Sequence, residues 1–201
     1  MNYPKSIKSL IECYKKLPGV GEKSAERMAL ATLLLEQETL DIFSTAIKEI
    51  KEKTKRCVIC NNFSDNEICD ICSSKERNKK IICVVEEPKN VILFEHVGSY
   101  DGLYHVLDGL ISPLDGITPD KINIDSLIKR IEKEKPNELI FALKPSIEGE
   151  TTILYISKLL EQYDITISKI AHGVPMGAEI DYLDSLTLEM ALEDRKKLSN
   201  N

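Results

Sequence analysis

Four of the chain's six cysteines stand in two close pairs, Cys57-Val58-Ile59-Cys60 and Cys69-Asp70-Ile71-Cys72, with eight residues between the pairs. Each pair can offer two thiolates to one metal ion, and two facing pairs complete the tetrahedral all-sulfur shell that zinc prefers. So short an interval buries too little apolar surface to hold its own shape, so metal binding must drive the local fold. Four protein ligands leave no coordination position for water, which makes such a zinc a structural staple. Iron–sulfur ligation or thiol redox chemistry is the competing use of the same spacing.

The start of the chain, Met1-Asn2-Tyr3-Pro4-Lys5, lacks the apolar core of a secretory signal, and no run reaches the roughly 18 to 20 apolar residues of a membrane span. The expected location is the cytoplasm, where cysteines stay reduced and favour metal over disulfide. The two remaining cysteines, Cys13 and Cys83, fall in a helical pattern and an apolar run, and are expected to be buried packing thiols. The net charge of −6 is unevenly spread: residues 1–56 carry 11 basic against 8 acidic side chains, a balance of +3, and the remainder carries −9. A polyanion should therefore meet the N-terminal quarter.

With 201 residues, 42% of them hydrophobic, the chain can bury a real core in one large or several small modules. Apolar residues three and four apart predict helices over residues 6–17, from just after Gly21 to Leu35, and over residues 40–55. Beyond the cysteines the pattern changes to short apolar runs at residues 80–85, 139–143 and 165–170, read as buried strands. Helical stretches at about 88–96, 124–134 and 150–162 alternate with them, which predicts an α/β module with a largely parallel sheet. Residues 109–120, punctuated by Gly109, Pro113, Gly116 and Pro119, read as a long loop. The expected organisation is a helical module at 1–56, a metal module at 57–72, an α/β module at 80–175, and a C-terminal segment with a helix at 176–201.

Leu17-Pro18-Gly19-Val20-Gly21-Glu22-Lys23-Ser24-Ala25 joins the first two helices through a turn with two glycines, whose tolerance of positive φ permits a tight reversal. The unpaired N–H groups and dipole at the start of the second helix suit a phosphate, and Lys23 and Arg27 lie one turn apart on one face beside it. This stretch resembles the hairpin of helix-hairpin-helix proteins, which hold DNA by its backbone. The resemblance implies DNA contact by Gly19, Gly21, Lys23 and Arg27; the bland alternative leaves both cations as solvated charges. The later run Lys48, Lys51, Lys53, Lys55 and Arg56 reads first as a solvated face, with a further DNA contact as its second reading.

Ile82-Cys83-Val84-Val85-Glu86-Glu87-Pro88 sets a carboxylate at a strand end, where open α/β sheets gather ligands. Together with Leu139-Ile140-Phe141-Ala142-Leu143-Lys144-Pro145-Ser146-Ile147-Glu148-Gly149-Glu150 it resembles the Toprim module of topoisomerases and primases. Enzymes of that superfamily bind magnesium through a strand-end glutamate and an Asp-x-Asp pair. Here Glu86, Glu148 and Glu150 match acidic positions, but Lys144 and Ser146 stand where the aspartates belong. A divalent cation needs clustered oxygen anions, so a degenerate acidic site and no phosphoryl-transfer activity are expected.

A helix-hairpin-helix, a four-cysteine cluster and a Toprim module, in that order, resemble the RecR family of bacterial recombination mediators. The likeness extends to Tyr104-His105-Val106-Leu107-Asp108-Gly109 and to Ala171-His172-Gly173-Val174-Pro175-Met176-Gly177. It implies a mixed α/β multi-module fold with one structural zinc and a nucleoid-associated, ring-like homotetramer that surrounds DNA. It also implies a non-catalytic role alongside RecO and RecF in loading RecA on gapped DNA. Ile180-Asp181-Tyr182-Leu183-Asp184 resembles that family's Walker-B-like segment, yet no phosphate-binding loop accompanies it. With the metal shell closed by cysteines, His96, His105 and His172 are expected to pack or hydrogen-bond. Two competing functions stand beside this one, a magnesium-dependent Toprim enzyme and a zinc-stabilised adaptor that binds only proteins.

Overall fold

The computed structural model describes residues 3–171 and 173–195, so the expectation for His172 lies outside the described residues. The chain divides into two compact units, residues 1–53 and 54–201.

In the first unit α1 (Lys5–Tyr14) and α2 (Glu22–Thr32) form an antiparallel pair, followed by α3 (Gln37–Lys53). The pair closes on Ile11, Ala25 and Ala29, with Ile7, Leu10, Tyr14 and Val20 around them. The alanines let the two backbones approach, and the Tyr14 hydroxyl bonds Thr32 Oγ1 at 2.7 Å. Helix α1 ends three residues before its expected end because Val20 N–H returns to the Leu17 carbonyl and Gly19 takes φ +79°. Gly21, by contrast, has φ −83° and serves as the N-cap of α2, so only Gly19 needs a positive φ. No residue of α3 is buried, and Ile42, Phe43, Ile47 and Ile50 stand exposed along it. Cys13 is exposed as well, contrary to expectation: it lies off the stripe through which α1 meets α2.

The second unit begins with a two-stranded antiparallel ribbon, β1 (Lys55–Arg56) and β2 (Phe63–Ser64), and a single helical turn α4 (Asp70–Ser73). A four-stranded, wholly parallel sheet follows, built from β3 (Asn78–Val85), β4 (Gly102–Val106), β5 (Glu138–Ala142) and β6 (Thr166–Lys169) in the order β4-β3-β5-β6. The helices are α5 (Pro88–Val97), α6 (Ile124–Glu134) and α7 (Ile147–Leu160), with α8 (Ser185–Glu193) near the end. Alternate residues of β3 serve opposite faces. Ile82 and Val84 join Leu127, Ile131, Ile156 and Leu160 under α6 and α7, whereas Cys83 and Val85 join Val91 and Tyr104 under α5. Two helices thus cover one face and a single helix the other, which leaves Leu93 and Val97 of α5 exposed.

The fold class agrees with the mixed α/β expectation. Strand β4 was not foreseen, because Gly102 and His105 interrupt what is, in three dimensions, a completely buried edge strand. Cys83 is buried as expected, and burial pushes its thiol up to about 12. His105 packs beneath the sheet, whereas His96, contrary to expectation, is exposed in the last turn of α5. The Walker-B-like stretch holds a 3-10 turn over Ile180–Tyr182, and Asp184 caps α8.

A four-cysteine metal centre and a helix-hairpin-helix turn

The sulfurs of Cys57, Cys60, Cys69 and Cys72 all lie within 4.8 Å of one another, and Cys60 Sγ is 3.5 Å from Cys69 Sγ. Zinc–sulfur bonds of about 2.3 Å in a tetrahedron set sulfurs roughly 3.8 Å apart, so the cluster already has the dimensions of a zinc shell. The backbone brings this about locally. Cys57 N–H donates to the Asn62 carbonyl at 2.8 Å, Asn61 N–H returns to the Cys57 carbonyl at 2.9 Å, and Cys69 N–H donates to Cys57 Sγ at 3.3 Å. Asn61 turns the knuckle at φ +61°, a conformation asparagine tolerates better than most residues.

Charge points the same way. The Cys69 thiol is drawn down to about 2, first by its hydrogen bond with Cys60. Cys60 is pushed up to about 12, chiefly through that bond, and Cys72 is also pushed up, first by its bond with Cys60. A divalent metal replaces the thiol protons and lets all four sulfurs ionise.

The metal module is seamed to the sheet. Val106 N–H, on the free edge of β4, donates to the Cys60 carbonyl at 2.9 Å, and Asn61 Nδ2 reaches the Val106 carbonyl at 3.3 Å. Ile71 packs at once against the cysteines and against both cores of the sheet. An edge that would otherwise present unpaired backbone is thereby covered.

Among the described residues the carboxylates of Glu86, Glu148 and Glu150 do not form one cluster. Glu86 lines a cavity of about 330 Å³ together with Asn90, Phe94, Ala142 and Lys144. Glu148 lies by Ser146 and Lys144, and its carboxyl sits below the usual range, first through its own backbone N–H and then through Ser146. Glu150 pairs with Lys169 at 3.3 Å. Among the described residues the four cysteines are the one group of three or more candidate ligands close enough to share a metal. Ser146 meanwhile serves as the N-cap of α7, accepting from Gly149 N–H at 3.2 Å, which is why that helix starts earlier than its periodicity suggested.

In the first unit, Lys23 and Arg27 are exposed on α2, and neither makes a hydrogen bond or ion pair among the described residues. The neighbouring Glu22 is engaged by Lys15 at 2.7 Å, so the acidic group in the first turn is offset. Gly21 has no side chain to cap the open N–H groups there. Of the later basic run, Lys53 pairs with Glu49 at 2.5 Å and Arg56 is committed to the metal module. Sequence reasoning missed Asn61 and Asp108, which join the cysteine module to the sheet, and the buried Arg130, which bonds the Tyr104 carbonyl; the φ of +65° at Asp108, before Gly109, is visible only in the backbone.

A tetrathiolate knuckle seamed to a Toprim-like parallel sheet, preceded by a helix-hairpin-helix, defines a class of zinc-containing proteins of DNA metabolism. Family models match the chain in the same order: the RecR helix-hairpin-helix at residues 7–51, the RecR four-cysteine zinc finger domain at 54–74, the Toprim domain at 80–171 and the RecR C-terminal region at 173–196. The chain is 46% identical over 199 residues to the recombination protein RecR of Lactobacillus acidophilus, an alignment that covers 98% of this chain and all of the relative. It is 43% identical over 198 residues to that of Enterococcus faecalis, with the same coverage. The chain belongs to the RecR family of proteins of recombinational DNA repair, and its four-cysteine cluster is the site of one structural zinc. Among the described residues no helix is long and apolar enough to cross a membrane.

Proposed function

We propose that this protein is a non-catalytic, nucleoid-associated DNA clamp that acts with RecO and RecF to promote RecA loading on gapped DNA. The observation that carries the reading is the pair of unpartnered cations, Lys23 and Arg27, beside the open amino end of α2. Phosphates attract such groups without regard to sequence, and each neutralised phosphate releases counterions. One chain with a net charge of −6 binds DNA weakly on its own. A ring-like homotetramer adds several weak contacts into a firm hold. The uncovered apolar side chains of α3, Ile42, Phe43, Ile47 and Ile50, favour such assembly. In the Toprim module, Lys144 and Lys169 stand among the carboxylates, which argues against magnesium-dependent phosphoryl transfer.

The test is binding to a gapped duplex across a salt series, with mass measured in solution. Lys23→Ala combined with Arg27→Ala should weaken binding and flatten the salt dependence by about 0.9 in slope per lost phosphate contact and subunit. Unchanged affinity at every salt concentration, or a monomer with and without DNA, overturns the clamp.

A further inference from the structure

From β3 the chain crosses to β4 through α5 on one face of the sheet, and from β5 it crosses to β6 through α7 on the other. β3 and β5 are neighbours, with Val85 opposite Ala142, so the chain leaves them in opposite directions. A crevice opens beyond the carboxyl ends of two such strands, and open α/β sheets hold ligands there. The cavity of about 330 Å³ lies at this point, at the small end of the roughly 300 to 1,000 Å³ of ligand pockets. Its walls are apolar: Leu93, Phe94 and Val97 of α5, Ala142 and Leu143 at the end of β5, and Ile170 after β6.

Three polar side chains complete the lining. Glu86 follows β3 and Lys144 follows β5, and neighbouring strands lie only about 4.8 Å apart. The two nevertheless do not pair, and neither side chain makes a hydrogen bond or ion pair among the described residues. Other charges nearby are answered, Glu87 by Lys89 at 2.5 Å and Glu150 by Lys169 at 3.3 Å. Asn90 Oδ1 accepts from Glu87 N–H at 2.8 Å, which leaves the amide N–H groups of Asn90 to donate elsewhere. One free anion, one free cation and a donor thus border an apolar hollow. A fatty acid or a chain terminus matches one of the two charges and strands the other, whereas an α-amino acid carries both on a single carbon. We propose that the cavity binds a free α-amino acid with an apolar side chain, the ammonium at Glu86, the carboxylate at Lys144 and Asn90, and the side chain against α5. The site is independent of DNA contact by Lys23 and Arg27.

Calorimetric titration of the full chain with L-leucine and L-phenylalanine tests this. Both should saturate the protein with a Kd on the order of 0.1 to 1 mM, since so few heavy atoms in a half-open site supply no more. L-Leucinamide lacks the carboxylate and N-acetyl-L-leucine lacks the ammonium, and each should bind about tenfold more weakly than leucine. Lys144→Gln should weaken leucine about tenfold and no longer distinguish it from the amide; Glu86→Gln should do the same for leucine and its acetyl derivative. Neither side chain is bonded to the fold, so both variants should melt with the wild type, and the modified ligands carry the test on the wild type alone. No saturation by either amino acid up to about 10 mM, equal binding of leucine and its two derivatives, or unchanged leucine affinity in either variant overturns the proposal.

Discussion

Arg56 Nη2 donates to Asp108 Oδ1 at 2.9 Å across 52 residues of sequence, tying the first strand of the metal module to the end of the sheet's edge strand. Asn61 Nδ2 meets the other carboxylate oxygen at 3.2 Å, Arg56 Nη1 bonds the Asn61 carbonyl at 2.9 Å, and the guanidinium lies 4.6 Å from the centre of the Phe63 ring. Asp108 holds this position at φ +65°. Contacts and backbone strain therefore oppose each other at one residue.

That opposition can be measured. Both members of the ion pair are about 40% exposed, so the pair itself contributes under about 1 kcal/mol. Asp108→Ala loses the carboxylate and keeps the strain, for a cost of about 1 to 2 kcal/mol. Asp108→Gly loses the same contacts but relieves the backbone, and should be less destabilised by about 0.5 to 1 kcal/mol. Urea unfolding of the two variants decides the order.

Cys69→Ser removes the sulfur that its neighbours share, and it should abolish zinc binding rather than weaken it. Because Val106 is bonded to the Cys60 carbonyl, loss of the metal should also expose the β4 edge. Hydrogen exchange at Val106 is expected to rise together with the loss of zinc from the purified protein, and chelator treatment of the wild type should reproduce both changes.

Gly149→Ala tests whether Glu148-Gly149-Glu150 is an acidic site or a packing device. A Cβ at residue 149 would stand 2.0 Å from the Lys144 carbonyl oxygen, a backbone atom that cannot swing aside. The variant should lose about 2 to 3 kcal/mol in thermal or urea unfolding. Glu150→Gln, which leaves the backbone alone, should cost under about 1 kcal/mol.

His105 should make the protein acid-sensitive. Burial lowers its pKa from 6.5 to about 4 in the folded chain, while its Nε2 lies 3.0 Å from the Asn123 carbonyl. The unfolded state therefore takes up the proton first, and stability is retained above about pH 6.5 and lost as pH falls from there towards 4. Thiolate protonation adds to the acid loss in any variant, so the comparison is between proteins. His105→Gln should be less stable at pH 7.5, yet lose less than the wild type between pH 6.5 and 4.5.

Much of this architecture was legible along the chain. The periodicity of Ile7, Leu10, Ile11 and Tyr14 marked α1, the β-branched run to Val85 marked β3, and the two cysteine pairs marked the metal site. The elements that escaped notice had patterns contradicted by their own residues. β4 carries a glycine and a histidine, and its five residues are buried only because β3 lies on one side of it and the metal module on the other. Cys13 was misplaced for the converse reason: a helical period says which residues share a face, but Cys13 lies just outside the face that α2 covers.

Spacing within short stretches settled the helices, the zinc ligands and the hairpin beside Lys23, since each depends on atoms a few residues apart. Only the tertiary structure decided that the cysteine module docks on the edge of a parallel sheet, that Glu86, Glu148 and Glu150 are separated by lysines, and that Arg130 faces inward. Those outcomes depend on contacts between residues tens of positions apart, and a buried cation in a helical stripe looks like any other charge until the elements around it have packed.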